Sequence, residues 1–424
     1  MTGKVENTIA ALWRIESGRI VGSVARIVRD VGLAEELAQD ALVAALERWP
    51  HDGIPDRPGA WLLTVARNAA FDLLRRDRSL REKLEQIGLD LEAQEALTVP
   101  DFVDELDASR RDVLKDDLLR LMFTACHPVL SLDARLALTL KLLGGLATAE
   151  IARAFLVSEA TMAQRIVRAK RTLGEANVPF ELPPPAELGE RLGAVLEAVY
   201  LIFNEGYTAT AGADWMRPAL VDEALRLGRI LAELAPGEPE VHGLVALMEL
   251  QASRMAARLD AAGWPVLLLE QDRSRWDGVL VRRGLAALAR AARIGSARGS
   301  YRLQAEIAAC HARAHRAELT DWRRIADLYG ELATVQPSPV VELNRAVAVG
   351  MADGPAAGLA LADRLLEDGR LEGYHPLPSV RGDLLFKLGR RPEARAEFER
   401  AAALTANAAE RALLLARMRD AADA

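Results

Sequence analysis

The chain has 424 residues, half of them hydrophobic and only 5% aromatic, with a formal net charge of −7. That length is too great for one ordinary core and predicts two to four domains, while abundant Ala, Leu and Arg, all strong helix formers, predict an α-rich globular protein. No apolar run approaches the roughly 20 residues that span a bilayer, and the N-terminal stretch MTGKVENTIAALWRIESGRI has no cationic segment leading into an apolar one, so neither a membrane partner nor a secretion signal is expected.

The two cysteines, Cys126 and Cys310, cannot build a disulfide framework, which points to a reducing cytoplasm. The acidic total hides an uneven distribution. Net charge is −3 over residues 1–56, +4 over 57–81, −8 over 82–117, +3 over 118–185 and −3 over 186–424. Phosphate contact depends on local Lys/Arg density, so the two basic islands keep a nucleic-acid function open.

In chain order, amphipathic runs around Ile9–Val31, Ala34–Arg48 and Pro58–Asp77 predict a compact helical group. On the second, Glu35, Glu36, Gln39 and Asp40 fall on adjacent turns and give an acidic, amide-bearing face. The third, PGAWLLTVARNAAFDLLRRDRSLR, opens on Pro58, a good first helical residue. Leu62, Ala66, Ala69 and Leu73 make its core stripe. Thr64, Arg67, Asn68, Phe71, Arg75 and Arg78 share the opposite face, with Arg76 beside them. Cationic, amide and aromatic groups interleaved in this way suit single-stranded DNA, which needs phosphate pairing and base contacts. Trp49 and Trp61 read either as core packing or as unstacking wedges.

Residues 82–110 are acidic and weakly periodic, as in a connector. The segment LATAEIARAFLVSEATMAQRIVRAKRTL then carries two short helices, with Thr148 and Ser158 as candidate caps. On the second of these, Met162, Ile166, Ala169 and Leu173 form a core stripe, and Thr161, Arg165, Arg168 and Thr172 form an exposed face flanked by Gln164 and Arg171. Such a helix can enter a major groove, where Arg and Gln match base-edge donors and acceptors. Turns of this kind usually carry glycine near the position of Leu156.

Pro179 and Pro183-Pro184-Pro185 stop the helix and stiffen a linker over 179–185. From 186 to 424 helical segments alternate with Gly/Pro/Asp turns. In HPLPSVRGDLLFKLGRRPEARAEFERAAALTAN, the small residues Gly382, Ala394 and Ala401 let two helices touch, Gly389 takes the turn and Phe398 fills the groove. This matches the tetratricopeptide (TPR) pattern of roughly 34 residues per helix pair. Weaker echoes run through Ala224–Gly228–Pro236, Trp322–Tyr329–Pro337 and Asn344–Ala362. A generic helical array is the alternative, and either one buries its faces by stacking into a solenoid.

Cys310, His311 and His315 hold two imidazoles at the spacing of some zinc helices, but no third ligand suggests itself, and Cys126-His127 has no second pair. No phosphate-binding glycine loop and no nucleophile–base pair stands out. Neither an enzyme nor a metal or other cofactor is therefore expected.

Taken together, AEELAQDALVAAL, PGAWLLTVARNAAFDLLRR and EIARAFLVSEATMAQRIVRAKRTL, in that order and spacing, resemble the extracytoplasmic-function (ECF) group of RNA polymerase sigma factors. FTACHPVLS, YLIFNEGYTAT and the repeats resemble its subgroup with a long C-terminal helical extension. The resemblance implies an all-α chain divided into sigma region 2 (1–81), an acidic linker (82–110), a region 4 helix-turn-helix (111–178), a Pro-rich linker (179–185) and a TPR-like α-solenoid (186–424). It implies that Glu35, Glu36, Gln39 and Asp40 meet the clamp helices of core polymerase, and that Leu118–Ala125 offer an apolar surface to its flap. Thr64, Arg67, Asn68, Phe71, Arg75, Arg76 and Arg78 would serve the −10 element, with Asn68 and the loop Pro50–Pro58 holding a flipped base. Ser158, Thr161, Gln164, Arg165 and Arg168 would contact the −35 element, with Lys170 and Arg171 on phosphates. The extension would regulate in cis or dock a protein partner. The rival reading is a TPR-containing helix-turn-helix regulator that binds duplex DNA without polymerase.

Overall fold

A computed structural model describes residues 2–85, 107–210 and 214–423; among them every regular element is a helix, and the β-pairing is confined to isolated bridges such as Leu259–Pro265. Most of the acidic connector expected at 82–110 lies outside the described residues. The chain divides into two compact units, Met1–Ala198 and Val199–Ala424.

The first unit contains α1 (Thr2–Val28), α2 (Val31–Asp52), α3 (Pro58–Glu85), α4 (Asp107–Ala125), α5 (Leu132–Leu142), α6 (Thr148–Ala154), α7 (Glu159–Glu175) and the start of α8 (Pro185–Tyr207). Helix α1 ends where Arg29 turns left-handed (φ 57°), and Asp30 restarts the chain by accepting the Leu33 N–H at 2.8 Å. Ala34, Leu37, Ala38, Ala41, Ala45 and Trp49 form the buried stripe of α2. This helix runs on through Pro50 to Asp52, so the expected loop shortens to residues 53–57, with Gly53 at φ 86°. Proline is tolerated there because it costs a single ladder bond in the final turn.

The sequence reading needs two local corrections. On α3 the buried stripe runs Leu62, Ala66, Ala70; Ala69 is only half-buried. The i, i+4, i+8 row, rather than the i+7 position, faces the neighbouring helices. Before α6 the cap is Ala147, not Thr148. Glu150 reaches back to accept the Ala147 N–H at 2.8 Å and satisfies the helix start without a hydroxyl.

Helix α1 also packs on α4, and glycines permit the approach. A Cβ on Gly22 would sit 2.9 Å from the Asp117 carbonyl oxygen, and one on Gly18 would sit 2.9 Å from Leu118 Cδ1. Beside them Asp117 is fully buried, bonded to Arg26 Nε at 3.0 Å and Arg120 Nη1 at 2.9 Å. Burial raises its carboxyl pKa above the usual range despite the two guanidiniums.

The second unit continues α8 and adds α9 (Pro218–Leu234), α10 (Pro239–Ala252), α11 (Gly278–Ile294), α12 (Ser300–Arg313), α13 (Trp322–Val335), α14 (Pro339–Ala352), α15 (Pro355–Asp368), α16 (Pro376–Lys387), α17 (Arg391–Leu404) and α18 (Ala408–Asp423). Proline opens five of these helices, where its missing N–H costs nothing. From α12 onward each helix packs on the next, as in a stacked array. Gly382 and Gly389 act as their spacing predicts: a Cβ on Gly382 would meet Phe398 Cε1 at 2.8 Å, and Gly389 turns at φ 76°; a further close approach joins α14 and α15, where a Cβ on Gly358 would meet Gly350 Cα at 2.8 Å. At the far end, Asn407 Nδ2 donates to the carbonyls of Ala209 and Asp214, both at 3.0 Å.

Candidate nucleic-acid and polymerase interface

Helices α6 and α7 pack together across a short turn, the two-helix arrangement expected from the sequence. Ser158 caps α7, its Oγ accepting the Thr161 N–H at 3.1 Å, and Met162, Ile166, Ala169 and Leu173 are all buried. With that stripe inward, Ser158, Thr161, Gln164, Arg168 and Arg171 are exposed along one side of α7. Arg165 is half-buried and pairs with Asp133 at 3.2 Å, while Arg171 pairs with Glu175 at 3.3 Å. The turn between the helices uses Leu156 at φ 52°, a left-handed residue where glycine would be unstrained.

On α3, Thr64, Asn68, Arg75 and Arg76 are exposed, and Arg67 and Phe71 are half-buried beside them. Thr64 donates its hydroxyl to the Ala60 carbonyl at 2.8 Å, and Arg75 pairs with Asp72 at 3.0 Å. The side chain of Arg78 lies outside the described residues. Trp49 is buried against Trp61, edge to face at 5.5 Å between centroids, which makes Trp49 core packing.

The acidic face of α2 divides. Glu36, Gln39 and Asp40 are exposed, but Glu35 is only 3% exposed. Its carboxylate pairs with Lys170 of α7 and with Lys141 of α5 (3.6 Å), and it accepts from Gln39 Nε2 at 2.7 Å. The residues expected to reach polymerase and DNA phosphate are thus joined to each other. Val43 and Leu46, exposed apolar residues on α2, complete the open face that begins at Glu36. Periodicity could have marked them, since both fall off the buried stripe. The Leu118–Ala125 stretch expected to meet the flap is interior instead, with Leu118, Leu121, Met122, Phe123 and Ala125 all buried.

Comparison with known proteins bears on this arrangement. Residues 12–80 match the family model for Sigma-70 region 2, and residues 120–173 that for Sigma-70 region 4. The chain is 30% identical over 159 residues to the ECF RNA polymerase sigma factor SigK of Mycobacterium ulcerans, covering 37% of this chain and 78% of that protein. This chain belongs to the ECF sigma factor family.

A probable ECF RNA polymerase sigma factor, SigI of Mycobacterium tuberculosis (strain ATCC 25618 / H37Rv), is 26% identical over 176 residues, 42% of this chain and 58% of that protein. A longer match covers most of the chain: an uncharacterized protein of Rhizobium meliloti (strain 1021) is 46% identical over 395 residues, 93% of this chain and 91% of its own. Residues 191–292 match a family of unknown function, so this sigma factor carries a second recurring module behind its DNA-reading part. No solved structure matches the chain. Among the described residues no helix is long and apolar enough to cross a membrane.

Cys310, His311 and His315 do not converge. Helix α12 ends at Arg313, so the one-turn spacing is not realised: His311 is buried, edge-on to Trp322 at 5.2 Å, and His315 is exposed.

Proposed function

We propose that this sigma factor, acting in the cytoplasm, directs core polymerase to promoters by reading a −35 element with α7 and a −10 element with α3. The reaction is template recognition without catalysis. The observation that carries the −35 assignment is the capped helix α7, whose buried stripe leaves Ser158, Thr161, Gln164 and Arg168 on an open side. Gln and Arg there present the donors and acceptors that base edges require, and Arg171 suits the backbone phosphates. On α3, Asn68 beside Phe71, Arg75 and Arg76 supplies amide, ring and cations for an unpaired strand. On α2, Glu36, Gln39 and Asp40 with Val43 and Leu46 form the surface offered to the clamp helices.

In this reading the closed arrangement of α2 on α5 and α7 is a resting one. Glu35 can meet polymerase and Lys170 can meet phosphate only after α2 parts from α5 and α7. The extension acts on this step in cis or through a protein partner. Support comes from its first turns, where Arg191 donates to the Phe123 carbonyl at 2.9 Å and Glu197 pairs with Arg135 of α5 at 3.2 Å. Both bonds tie the beginning of α8 to region 4.

The test of the DNA surface is promoter binding by the polymerase-bound protein. Arg168→Ala should weaken −35-dependent transcription by roughly tenfold, as expected for loss of one base contact, whereas Arg395→Ala, an exposed change in the extension, should not. Equal effects would overturn the assignment of α7.

A further inference from the structure

Most arginines of the second unit with a hydrogen-bonded partner find a carboxylate: Arg229 pairs with Glu249 at 2.8 Å, Arg302 with Glu306 at 3.2 Å and Arg381 with Asp363 at 2.9 Å. Three do not. Among the described residues no carboxylate forms an ion pair with Arg254, Arg258 or Arg273, although the three gather around one pair of rings. Arg254 lies 5.7 Å from the Tyr207 centroid and 5.8 Å from that of Trp276; Arg258 lies 3.7 Å over Tyr207, and Arg273 lies 4.9 Å from Trp276.

Two of these cations are held by neutral acceptors. Arg258 is 7% exposed and donates to the Tyr207 carbonyl and, at 2.9 Å, to Thr208 Oγ1. Arg273 donates to the carbonyls of His311 (2.8 Å) and Ala314 (2.6 Å) and to Thr320 Oγ1 (3.1 Å). These bonds orient the guanidiniums without cancelling their charge. Several further polar atoms of the cluster are shielded from solvent with no partner: Arg273 Nε, Trp276 Nε1 and Nδ1 of His311, a residue only 8% exposed.

A buried cation ordinarily has a counter-charge, and a buried donor ordinarily has an acceptor. Here, among the described residues, the buried Arg258 has neutral acceptors but no ion-paired carboxylate, Arg254 and Arg273 stand half-buried beside it, and the orphaned polar atoms have no partner. The missing species is an anion with more than one acceptor oxygen. Guanidinium forks match phosphate and carboxylate oxygens two at a time, and the rings around Arg254 exclude water and strengthen the attraction. Arg254 is half-buried, and its guanidinium, with no hydrogen bond among the described residues, is the cation that can turn toward an incoming ligand. Arg258 and Arg273 are recessed, which favours a small molecule over a nucleic-acid backbone.

We propose that Arg254, Arg258 and Arg273, with Trp276 and His311, form the binding site for a small, multiply charged oxyanion, a phosphate- or polycarboxylate-bearing ligand, in the C-terminal extension. The environment agrees. Burial together with Arg254 and Arg273 holds the His311 imidazole neutral, its pKa lowered to about 3, and burial lowers that of Arg258 to about 10, as expected of positive charge lacking a counter-ion. The site stands whether or not the extension regulates transcription.

The experiment uses the full chain, with inorganic phosphate and citrate as separate probes against chloride at matched ionic strength. Thermal unfolding and titration calorimetry are the readouts. One probe or both should bind saturably and raise the unfolding temperature of wild type; which one does so identifies the ligand class. Arg254→Gln, which removes no side-chain hydrogen bond among the described residues, should weaken that binding at least tenfold, and Arg273→Lys, which keeps the charge but loses the fork, should weaken it as well. Arg395→Gln should leave it unchanged. Absence of saturable binding by either probe, or undiminished binding in both site variants, would overturn the proposal. So would binding of a single-stranded oligonucleotide with neither small anion bound.

Discussion

Glu35 on α2 and Lys170 on α7 form a buried ion pair, supported by Lys141 at 3.6 Å from the same carboxylate. One residue belongs to the helix matched to region 2 and the other to the helix matched to region 4. Their pairing, with the Gly18–Gly22 approach of α1 to α4, explains why Met1–Ala198 is one compact unit. Removing Glu35 would leave Lys170 and Lys141 without their shared counter-charge, at a cost of up to about 3–5 kcal/mol.

If parting of α2 from α7 is needed for promoter recognition, a covalent clasp should block it. A Cβ on Gly32 would lie 3.9 Å from Lys170 Cβ, inside the range that a disulfide spans. In a Cys310→Ser background, Gly32→Cys with Lys170→Cys should be transcriptionally silent when oxidised and regain activity on reduction. Equal run-off transcription in the two redox states would mean that the closed arrangement is not inhibitory.

Leu156 is 54% exposed and sits at φ 52° in the turn before α7. A left-handed L-residue costs about 1–2 kcal/mol that glycine does not incur. Leu156→Gly should therefore stabilise the first unit by about 1 kcal/mol, a rise of roughly 2–4 °C in its unfolding temperature. Scanning calorimetry would show it, and destabilisation would mean that the leucine side chain packs more than its exposure suggests.

These sites show what a sequence does and does not reveal. The stripe Met162, Ile166, Ala169, Leu173 was legible because a helix repeats every 3.6 residues and a cap such as Ser158 acts within three residues. Gly382, Gly389 and Phe398 were legible for the same reason, since helix contact and turn lie within one short stretch. Glu35 reads as part of the acidic face of α2 because its ion-pair partners stand 106 and 135 positions away, and local periodicity carries no information about such pairs. The arginine cluster was invisible likewise, assembled from α8, α12 and the segments after α10. Ala69 was misplaced because two small residues in succession leave the stripe ambiguous by one position, and Thr148 because a carboxylate replaced the hydroxyl as the capping group.

Gly382 is a site where bulk should be costly. The Cβ of Gly382→Ala would press on the buried ring of Phe398, and overpacking of this kind costs about 1–3 kcal/mol. Gly330→Ala, in α13 with nothing within 4 Å of the new atom, should instead stabilise by up to about 1 kcal/mol. Urea titration of the two variants should move the midpoint in opposite directions. A shift of the same sign in both would contradict the packing described.

His311 predicts a pH dependence. Its folded pKa is lowered to about 3, whereas an unfolded imidazole titrates near 6.5. The unfolded state therefore binds more protons between those values, and the contribution to stability is complete above about pH 6.5 and lost as pH falls toward 3. Between pH 7 and pH 5 the second unit should lose up to about 2 kcal/mol from this group. His311→Gln should flatten the slope in that window; an unchanged slope would assign the acid sensitivity to other groups.

The measurement that tests the central claim most directly is promoter-directed run-off transcription by purified core polymerase with the full chain, alongside co-elution of the two. The account predicts co-elution and a discrete transcript, both reduced by changes at the open α2 face, Glu36→Ala with Asp40→Ala. Binding of duplex promoter DNA without polymerase association or transcript would contradict it and leave a helix-turn-helix regulator in its place.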